Sequence, residues 1–385
     1  MKIAYVNFIY GSSTGVEKKF EEKADNAKNL DLDISFYFLN TMRQGLSGRV
    51  NYVKIEPRRF PWNIYDSYFN RYDIIKRTID LSPYDYIILR YPGADKSGIK
   101  FAEKINVITE HHTNEISELV SHLKSERSLK RKAMNLIAYL QEKRYGRKVL
   151  RNCKGLIAVT EEIKQIELRK ANRNIPAVVI ANGIEVNKIS FTGFKKFDGK
   201  TLDIAFLAAS VSPWHGFDRI LKSLNNYNGD INIILHFIGN VDHNILPAGS
   251  SFGNIRFHGI KSGSELDNIM KNMNIAISSL ALFKKNMEEA CALKTREYTA
   301  RGIPFILAYK DSDLAEIDEE YKFCLYFEND NSPLDMDKII SFVAEFNNNK
   351  DLSAYMRNYA LKNMNMNIKM KQYKNFVKYM RSFYS

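Results

Sequence analysis

The chain has few cysteines, and their spacing forms no recognisable site. Cys153, Cys291 and Cys324 stand far apart in 385 residues, without a C-x-x-C pair. Neither a disulfide framework nor a zinc site is predicted from this spacing, and a reducing cytoplasm is the expected compartment. Apolar runs are also short, since none approaches the roughly 20 residues that a membrane-spanning helix needs. We therefore expect a chain that does not span a bilayer.

Two common phosphate-binding loops are missing as well. The loop from Gly11 to Glu17, after the first predicted strand, lacks the G-x-G-x-x-G fingerprint of dinucleotide-binding proteins. The stretch from Gly193 to Thr201 nearly forms a Walker loop, but five residues separate its glycines and a strand follows instead of a helix. A Walker-type ATPase is excluded.

Length and composition predict two domains. The 385 residues are 45% hydrophobic and 12% aromatic, which is enough apolar material for two cores. Patterns typical of a strand at 2–8, a helix at 18–29 and a strand at 34–39 open the chain as a βαβ unit. Further strands are predicted at 86–89, 105–109, 155–160, 177–181, 202–208, 233–239, 255–259, 274–279 and 303–307. The fold class is α/β.

The net charge of +13 is unevenly distributed. Between Lys124 and Arg151 there are ten basic residues and two acidic ones. The same segment has apolar residues at helical spacing: Leu129, Ala133, Leu136, Ile137 and Leu140. Such a basic amphipathic helix either lies on an anionic membrane surface or buries its apolar stripe in an ordinary domain. Nucleic acid is the least favoured partner.

The segment 286–309 predicts a loop, a short helix and a buried strand, after another strand at 274–279. In a parallel sheet such a loop lies at the carboxyl end of its strand, where the helix amino terminus offers free N–H groups to a phosphate. Glu289 and Glu297, with seven residues between them, flank this helix start. Each carboxylate can accept hydrogen bonds from a vicinal diol. The pattern indicates a nucleotide-sugar, with one carboxylate at a ribose and the other at a hexose.

Glu289-x7-Glu297, followed by Tyr298-x-Ala300-x-Gly302-x-Pro304, resembles the signature of GT-B glycosyltransferases of family 4. The resemblance implies two Rossmann-like domains that face each other across a cleft. They are an acceptor-side domain at 1–185 and a donor-binding domain at 186–365, with a final helix at 366–385 that packs back on the first domain. It also implies sugar transfer with retention from a nucleoside-diphosphate-sugar to a glycan or lipid-linked acceptor, in surface polysaccharide biosynthesis. No cofactor and no metal are expected.

The resemblance assigns residues to the donor. The loop from Ala209 to Asp218 is similar to the family's phosphate-contacting loop, but Ala209 stands where an arginine is usual and His215 where a lysine is usual. His215 would then help neighbouring basic residues to offset the charge of the leaving diphosphate. The donor residues are Glu289 at the sugar, as a catalytic contact, Glu297 at the ribose, His215, Lys294 and Arg296 at the diphosphate, and Gly259 and Ile260 at the base, whose identity the sequence does not give.

Acceptor-side residues follow from the first domain's strand ends. Gly11 and Gly15 lie in a loop that resembles the family's glycine-containing loop at the acceptor and the donor phosphates. Arg90, at the end of the strand 86–89, would contact an anionic acceptor. The strand 105–109 leads into His111 and His112, which resemble the family's catalytic cleft histidine. Adjacent side chains point to different faces, so one of the two faces the cleft, and His111 is preferred.

Two other functions remain open. A nucleotide-sugar epimerase shares this fold, and a non-catalytic sugar-nucleotide-binding or nucleic-acid-binding protein would need no turnover. Asp311-Ser312-Asp313 has the D-x-D spacing of a metal site in another glycosyltransferase fold, but a solvated acidic turn is the preferred interpretation. The expected location is the cytoplasm, with peripheral attachment to the inner face of the cytoplasmic membrane as a further possibility.

Overall fold

In a computed structural model the chain folds as two α/β units. The structure describes residues 1–9, 14–30, 32–41, 48–60, 62–240 and 254–384. One unit comprises Met1–Ala181 and Met366–Ser385, and the other comprises Asn182–Asn365. Each unit contains one sheet, and all strand pairs described in the two sheets are parallel. The predicted α/β class with two Rossmann-like sheets is confirmed.

The described residues of the first unit form a sheet of seven strands. They are β1 (Ile3–Ile9), β2 (Ile34–Asn40), β3 (Val50–Lys54), β4 (Tyr86–Arg90), β5 (Val107–His111), β6 (Gly155–Ala158) and β7 (Ala177–Val179). Their order is β3-β2-β1-β4-β5-β6-β7, so the strand order reverses at β1, and ligands bind at such switch points beyond the carboxyl ends. The helices between them are α1 (Thr14–Ala27), α2 (Trp62–Phe69), α3 (Arg71–Thr78), α4 (Lys96–Lys104), α5 (Glu115–Ser125), α6 (Leu129–Asn152) and α7 (Glu161–Ala171).

The second unit repeats this plan with six strands in its described ranges. They are β8 (Thr201–Ser210), β9 (Asn232–Asn240), β10 (Ile255–Phe257), β11 (Ile275–Ile277), β12 (Phe305–Leu307) and β13 (Cys324–Tyr326). The order β10-β9-β8-β11-β12-β13 is the Rossmann arrangement, with its reversal at β8. The helices are α8 (Phe217–Asn226), α9 (Gly263–Met270), α10 (Leu293–Arg301), α11 (Met336–Phe346) and α12 (Leu352–Tyr359), followed by a π-helical turn, Ala360–Met364.

The last helix, α13 (Met366–Tyr384), belongs to the core of the first unit. Its apolar residues recur every three or four positions and therefore share one face. That face packs against the buried residues of β1 and β4 with five side chains: Met366, Met370, Tyr373, Val377 and Met380. Tyr373 Oη also accepts a 2.7 Å hydrogen bond from Lys23 Nζ of α1. The chain therefore returns to its first unit after completing the second.

Two strands and several helices extend beyond the predicted set. β13 lies in the apolar run 323–327, which was not assigned to a strand, and β3 is polar at its exposed positions. All three cysteines are buried free thiols. None of the helices in the described ranges is long and apolar enough to cross a bilayer.

Candidate functional site

The segment that carries the double-glutamate signature folds as the sequence predicts. β11 leads into a loop, α10 follows, and Gly302 ends α10 with a left-handed φ of 77° before β12. A Cβ at this position would lie 2.8 Å from the Phe191 ring and 2.9 Å from Ser353 Cβ, so glycine is required by both conformation and space. The predicted order of strand, loop, helix and strand is confirmed.

The two signature glutamates lie on either side of the first residue of α10. The loop at Glu289 is held by a parallel backbone bridge to Lys310, just beyond β12. Glu297 lies in α10 itself, and its Oε1 accepts hydrogen bonds from Arg301 Nε and Nη2 at 3.1 and 3.0 Å. Arg301 also donates a 2.6 Å hydrogen bond to Asp267. The Glu297 carboxylate is therefore held in place through Oε1, while its side chain keeps 25% exposure.

The amino end of α10 has no side-chain cap. Its N-cap residue is Ala292, which has no side chain able to accept a hydrogen bond from the first turn. The first N–H groups of a helix lack intrahelical partners, and the helix dipole adds partial positive charge there. This end of α10 is therefore suited to an anion.

Lys294 is in the first turn of the same helix. Its Nζ is buried and has no hydrogen-bond partner among the residues that the structure describes. The nearest aromatic ring is Phe206 of β8, with its centroid 5.2 Å from Nζ. Burial lowers the pKa of Lys294 to about 7, because the ammonium has lost water without gaining a carboxylate. An anion placed here would meet an unsatisfied cation.

His215 lies close enough to Lys294 for the lysine charge to lower the pKa of the imidazole. It ends a short 3₁₀ turn, Pro213–His215, whose backbone carbonyls accept hydrogen bonds from Leu280 and Ala281, just after β11. Burial, and then the charges of Lys294 and Lys285, lower the pKa of His215 to about 2. Its Nδ1 accepts a 3.1 Å hydrogen bond from the Ser212 N–H, which places the proton of the neutral ring on Nε2. The ring can therefore donate a hydrogen bond, but it supplies no positive charge where a lysine was expected.

Arg296, unlike Lys294, has carboxylate partners within its own unit. Its side chain is fully buried, and Nη2 donates to Asp311 Oδ1 at 2.7 Å and to Asp313 Oδ2 at 2.8 Å, while Nη1 also pairs with Asp311. Arg296 is thus held inside the unit, and we transfer its expected role at the diphosphate to Lys294. The interpretation of Asp311 and Asp313 as a solvated turn is wrong, because Asp311 is only 4% exposed. Both aspartates neutralise a buried guanidinium.

The residues assigned to the base lie at the end of β10. Gly259 has a left-handed φ of 68°, and its carbonyl accepts a 2.8 Å hydrogen bond from the Gly239 N–H of β9. Ile260 is 71% exposed. Gly239 itself allows no side chain, since a Cβ there would overlap the carbonyl oxygen of Ala208 in β8. The backbone at this point is closely packed, whereas the Ile260 side chain is open.

In the first unit, the carboxyl ends of β4 and β5 border a cavity of about 270 Å³. Arg90 and His112 both line it, and Arg90 pairs in register with Glu110 of β5. Gly15 lies in the first turn of α1 and is exposed, whereas Gly11 lies outside the described residues. Because parallel strands end at one edge of the sheet, Arg90 and His112 are brought together as expected.

The two adjacent histidines have different surroundings. His112 is 14% exposed at the cavity, and its Nε2 lies 3.0 Å from Glu110 Oε1. His111 is fully buried, and its ring centroid lies 4.4 Å from that of Tyr91. The preference for His111 is therefore reversed, and His112 is the histidine that can meet a ligand.

The carboxylates around His111 were not predicted from the sequence. Glu115 lies four residues after it at the start of α5, and Glu167 reaches it from α7. The spacing His111-x3-Glu115 was a usable signal because it places both side chains beside one strand end. No local pattern connects either residue with Glu167.

Comparisons with known proteins agree on the fold. No protein-family model matches the chain, and no curated protein matches it. Sucrose-phosphate synthase from Thermosynechococcus elongatus is 13% identical with a TM-score of 0.68, and 99% of each chain is covered. A glycosyltransferase from Rickettsia africae ESF-5 is 15% identical with a TM-score of 0.61, and 98% of each chain is covered.

HepE from Anabaena, crystallised with UDP and glucose, is 12% identical with a TM-score of 0.60, over 98% of this chain and 99% of HepE. The chain has the GT-B fold. At these identities the likeness establishes the fold alone, and membership of family 4 stays a prediction.

Proposed function

We propose that this GT-B chain is a retaining glycosyltransferase that moves a sugar from a nucleoside-diphosphate-sugar to a glycan or lipid-linked acceptor of a surface polysaccharide. Two structural neighbours support a uridine diphosphate donor. HepE has been crystallised with UDP-glucose, and the pneumococcal O-GlcNAc transferase GtfA with UDP and GlcNAc. The proposal rests chiefly on one feature of this chain, the buried ammonium of Lys294.

A buried charge without a partner is costly, so interiors normally pair or neutralise it. Lys294 Nζ has no partner among the described residues, and it belongs to the uncapped first turn of α10. The oxygens of a diphosphate at this point would accept hydrogen bonds from the Lys294 ammonium, from the helix N–H groups and from the Nε2–H of His215. Three kinds of donor for one dianionic group favour a nucleotide-sugar over a neutral ligand.

The same groups suit the chemical step. When the bond between the anomeric carbon and the diphosphate oxygen breaks, negative charge builds up on the leaving phosphate. Lys294 and His215 bind that charge more strongly in the transition state than in the ground state. The acceptor hydroxyl attacks from the face that the diphosphate leaves, and its proton passes to the leaving phosphate oxygen, so the configuration is retained. The donor diphosphate needs no metal in this scheme.

Other residues hold the substrates. We assign Glu297 to the ribose diol through Oε2, since Oε1 is the oxygen that accepts from Arg301, and Glu289 to hydroxyls of the donor sugar. In the first unit, His112 and Arg90 line the cavity that we assign to the acceptor. No carboxylate is used as a covalent nucleophile.

Calorimetric titration with a panel of nucleotide-sugars tests the donor site. We expect one donor to bind, and Lys294→Met to weaken it, while the control Lys222→Met, at an exposed position of α8, leaves affinity unchanged. Equal binding by wild type and Lys294→Met would overturn the assignment. Incubation of the bound donor with acceptor fractions then separates the alternatives, because an epimerase converts the donor alone and a binding protein returns it unchanged.

We also propose that α6 docks on anionic lipid at the inner face of the cytoplasmic membrane. The apolar stripe is not buried in the unit: Leu129 is 85% exposed, Leu136 46% and Leu140 55%. The ten basic residues of the segment are all exposed. Trp62 and Tyr65 of the adjacent α2 are also exposed, and such aromatic residues favour the membrane interface. The first half of α6 therefore leaves its apolar stripe exposed, whereas Val149 and Leu150 in its second half are buried in the unit.

A further inference from the structure

A cluster of buried charged residues in the first unit lies beside the cavity assigned to the acceptor, which Glu115 and Glu142 also line. It is formed where the end of β5 meets three helices, α5, α6 and α7. The members are His111, Glu115, Glu142, Glu167 and Lys170. All of them belong to one unit, so their arrangement depends on that unit's fold alone.

His111 faces two carboxylates without a hydrogen bond to either. Its Nδ1 lies 3.5 Å from Glu115 Oε1 and 3.9 Å from Glu167 Oε2. The ring is fully buried, and neither nitrogen has a hydrogen-bond partner within the described part of the chain. Buried imidazoles are normally hydrogen-bonded, so two ring nitrogens without a partner are unusual and indicate a ligand at this position.

The charges of the cluster do not balance. Glu115, Glu142 and Glu167 are only 14%, 2% and 0% exposed. Lys170 is the cation that pairs with two of them, with Nζ 3.1 Å from Glu142 and 2.6 Å from Glu167. With all three carboxylates ionised, these four side chains carry a formal charge of −2. A bound cation would offset this buried negative charge.

We propose that His111, Glu115 and Glu167 bind one divalent first-row transition-metal ion, for which Zn²⁺ is the best fit. One ligand atom from each residue lies within 4.8 Å of the others. Two ligands of a tetrahedral zinc ion are about 3.4 Å apart, so the observed 3.5 and 3.9 Å need little adjustment. A divalent ion would also offset the buried negative charge of the cluster.

The donor set selects the class of metal. Imidazole nitrogen with carboxylate oxygens suits Zn²⁺ and its first-row neighbours, whereas Mg²⁺ and Ca²⁺ prefer oxygen ligands alone. Lys170 contacts Glu167 and is itself held by Glu142, so this pair would orient Glu167 as outer-shell partners do at metal sites. The ion would fix α5 and α7 to the end of β5, directly before His112. It has no part in the transfer step.

Metal titration of the tag-free, full-length chain after chelation and dialysis tests this site. Co²⁺ serves as the probe because its visible absorption reports the geometry of its ligands. We expect one equivalent of Co²⁺ to bind, Zn²⁺ to displace it, and excess Mg²⁺ to leave it in place. Absence of stoichiometric Co²⁺ and Zn²⁺ binding to the wild-type chain would overturn the proposal.

Variants locate the bound ion. Glu167→Gln and, separately, Glu115→Gln should each weaken Zn²⁺ binding by roughly 100-fold or more, since loss of an outer-shell partner alone costs about 10–100-fold. Glu103→Gln, at an exposed glutamate of α4, is the matched control and should bind as the wild type does. Unchanged affinity in both ligand variants would place any bound metal elsewhere. These measurements need no activity, so they stand or fall independently of the proposed transferase reaction.

Discussion

Replacing Lys294 by methionine should stabilise the ligand-free protein while it impairs donor binding. The folded chain loses the Lys294 proton near pH 7, whereas the unfolded chain keeps it up to about pH 10.4. Holding this lysine buried therefore costs about 4 kcal/mol of folding free energy at pH 7. Methionine fills similar space without a charge, so Lys294→Met should raise the free energy of unfolding by a large part of that amount.

The pH dependence of this effect has a definite sign. Between pH 7 and 10.4 the unfolded wild-type chain binds more protons than the folded chain, so wild-type stability rises with pH in that window. The advantage of Lys294→Met is therefore greatest below pH 7 and disappears above pH 10.4. Urea denaturation of both proteins from pH 6 to 10 measures it, with Lys222→Met as the exposed control.

Donor binding should reverse the pKa shift. A diphosphate next to Lys294 raises its pKa toward the ordinary value, so binding at pH 8–9 should take up close to one proton in the wild type and none through this group in Lys294→Met. Calorimetry in buffers of different ionisation enthalpy gives that proton number. A wild type that binds donor without proton uptake, or a methionine variant no more stable at pH 6 than at pH 10 relative to wild type, would refute the reasoning.

Four further outcomes follow from the same structure. Glu297→Ala should weaken donor binding by about 1.5–3 kcal/mol, and unchanged calorimetric affinity in a folded variant would remove it from the ribose. His112→Ala should lower turnover more than donor affinity, whereas equal loss of both in steady-state kinetics would make it a binding residue. Asp311→Asn should lower the free energy of unfolding by about 3–5 kcal/mol because it leaves Arg296 buried without its main partner, and a variant as stable as wild type would exclude that pairing. Reversing the three basic residues at 130–132 to glutamate should abolish sedimentation with anionic vesicles, since each basic residue contributes about 1 kcal/mol, and equal wild-type binding to neutral and anionic vesicles would end the docking proposal.

The sequence predicted the parts of the fold that depend on local pattern. The segment around α10 shows why, because its apolar strand, uncapped helix start and terminal Gly302 are all defined within a few residues of each other. The apolar period of α13 indicated that the helix packs, and only the structure gives Tyr373 its contacts with Lys23. The three-residue β13 was missed although it lies in the apolar run 323–327, which has the same kind of pattern as the runs that predicted β11 and β12.

The candidate site was harder to predict because its chemistry depends on contacts between distant residues. Lys294 and Arg296 are two positions apart in one helix, yet one ammonium lacks a partner while the other cation is enclosed by Asp311. Helical geometry turns their side chains to different sides of α10. The loop after β12 then places Asp311 and Asp313 beside Arg296 and not beside Lys294. His111 and His112 diverge for a related reason, since successive residues at a strand end face opposite sides of the sheet.

The configuration of the sugar that the enzyme releases tests the central claim most directly. With the donor identified by calorimetry, one-dimensional NMR can follow the first sugar transferred to acceptor, or to water in slow hydrolysis, before mutarotation. We predict the same anomeric configuration as in the donor, with no increase in rate when Mn²⁺ or Mg²⁺ is added to chelator-treated enzyme whose proposed zinc site has been refilled with one equivalent of Zn²⁺. An inverted product, or turnover that requires one of these ions, would contradict the account.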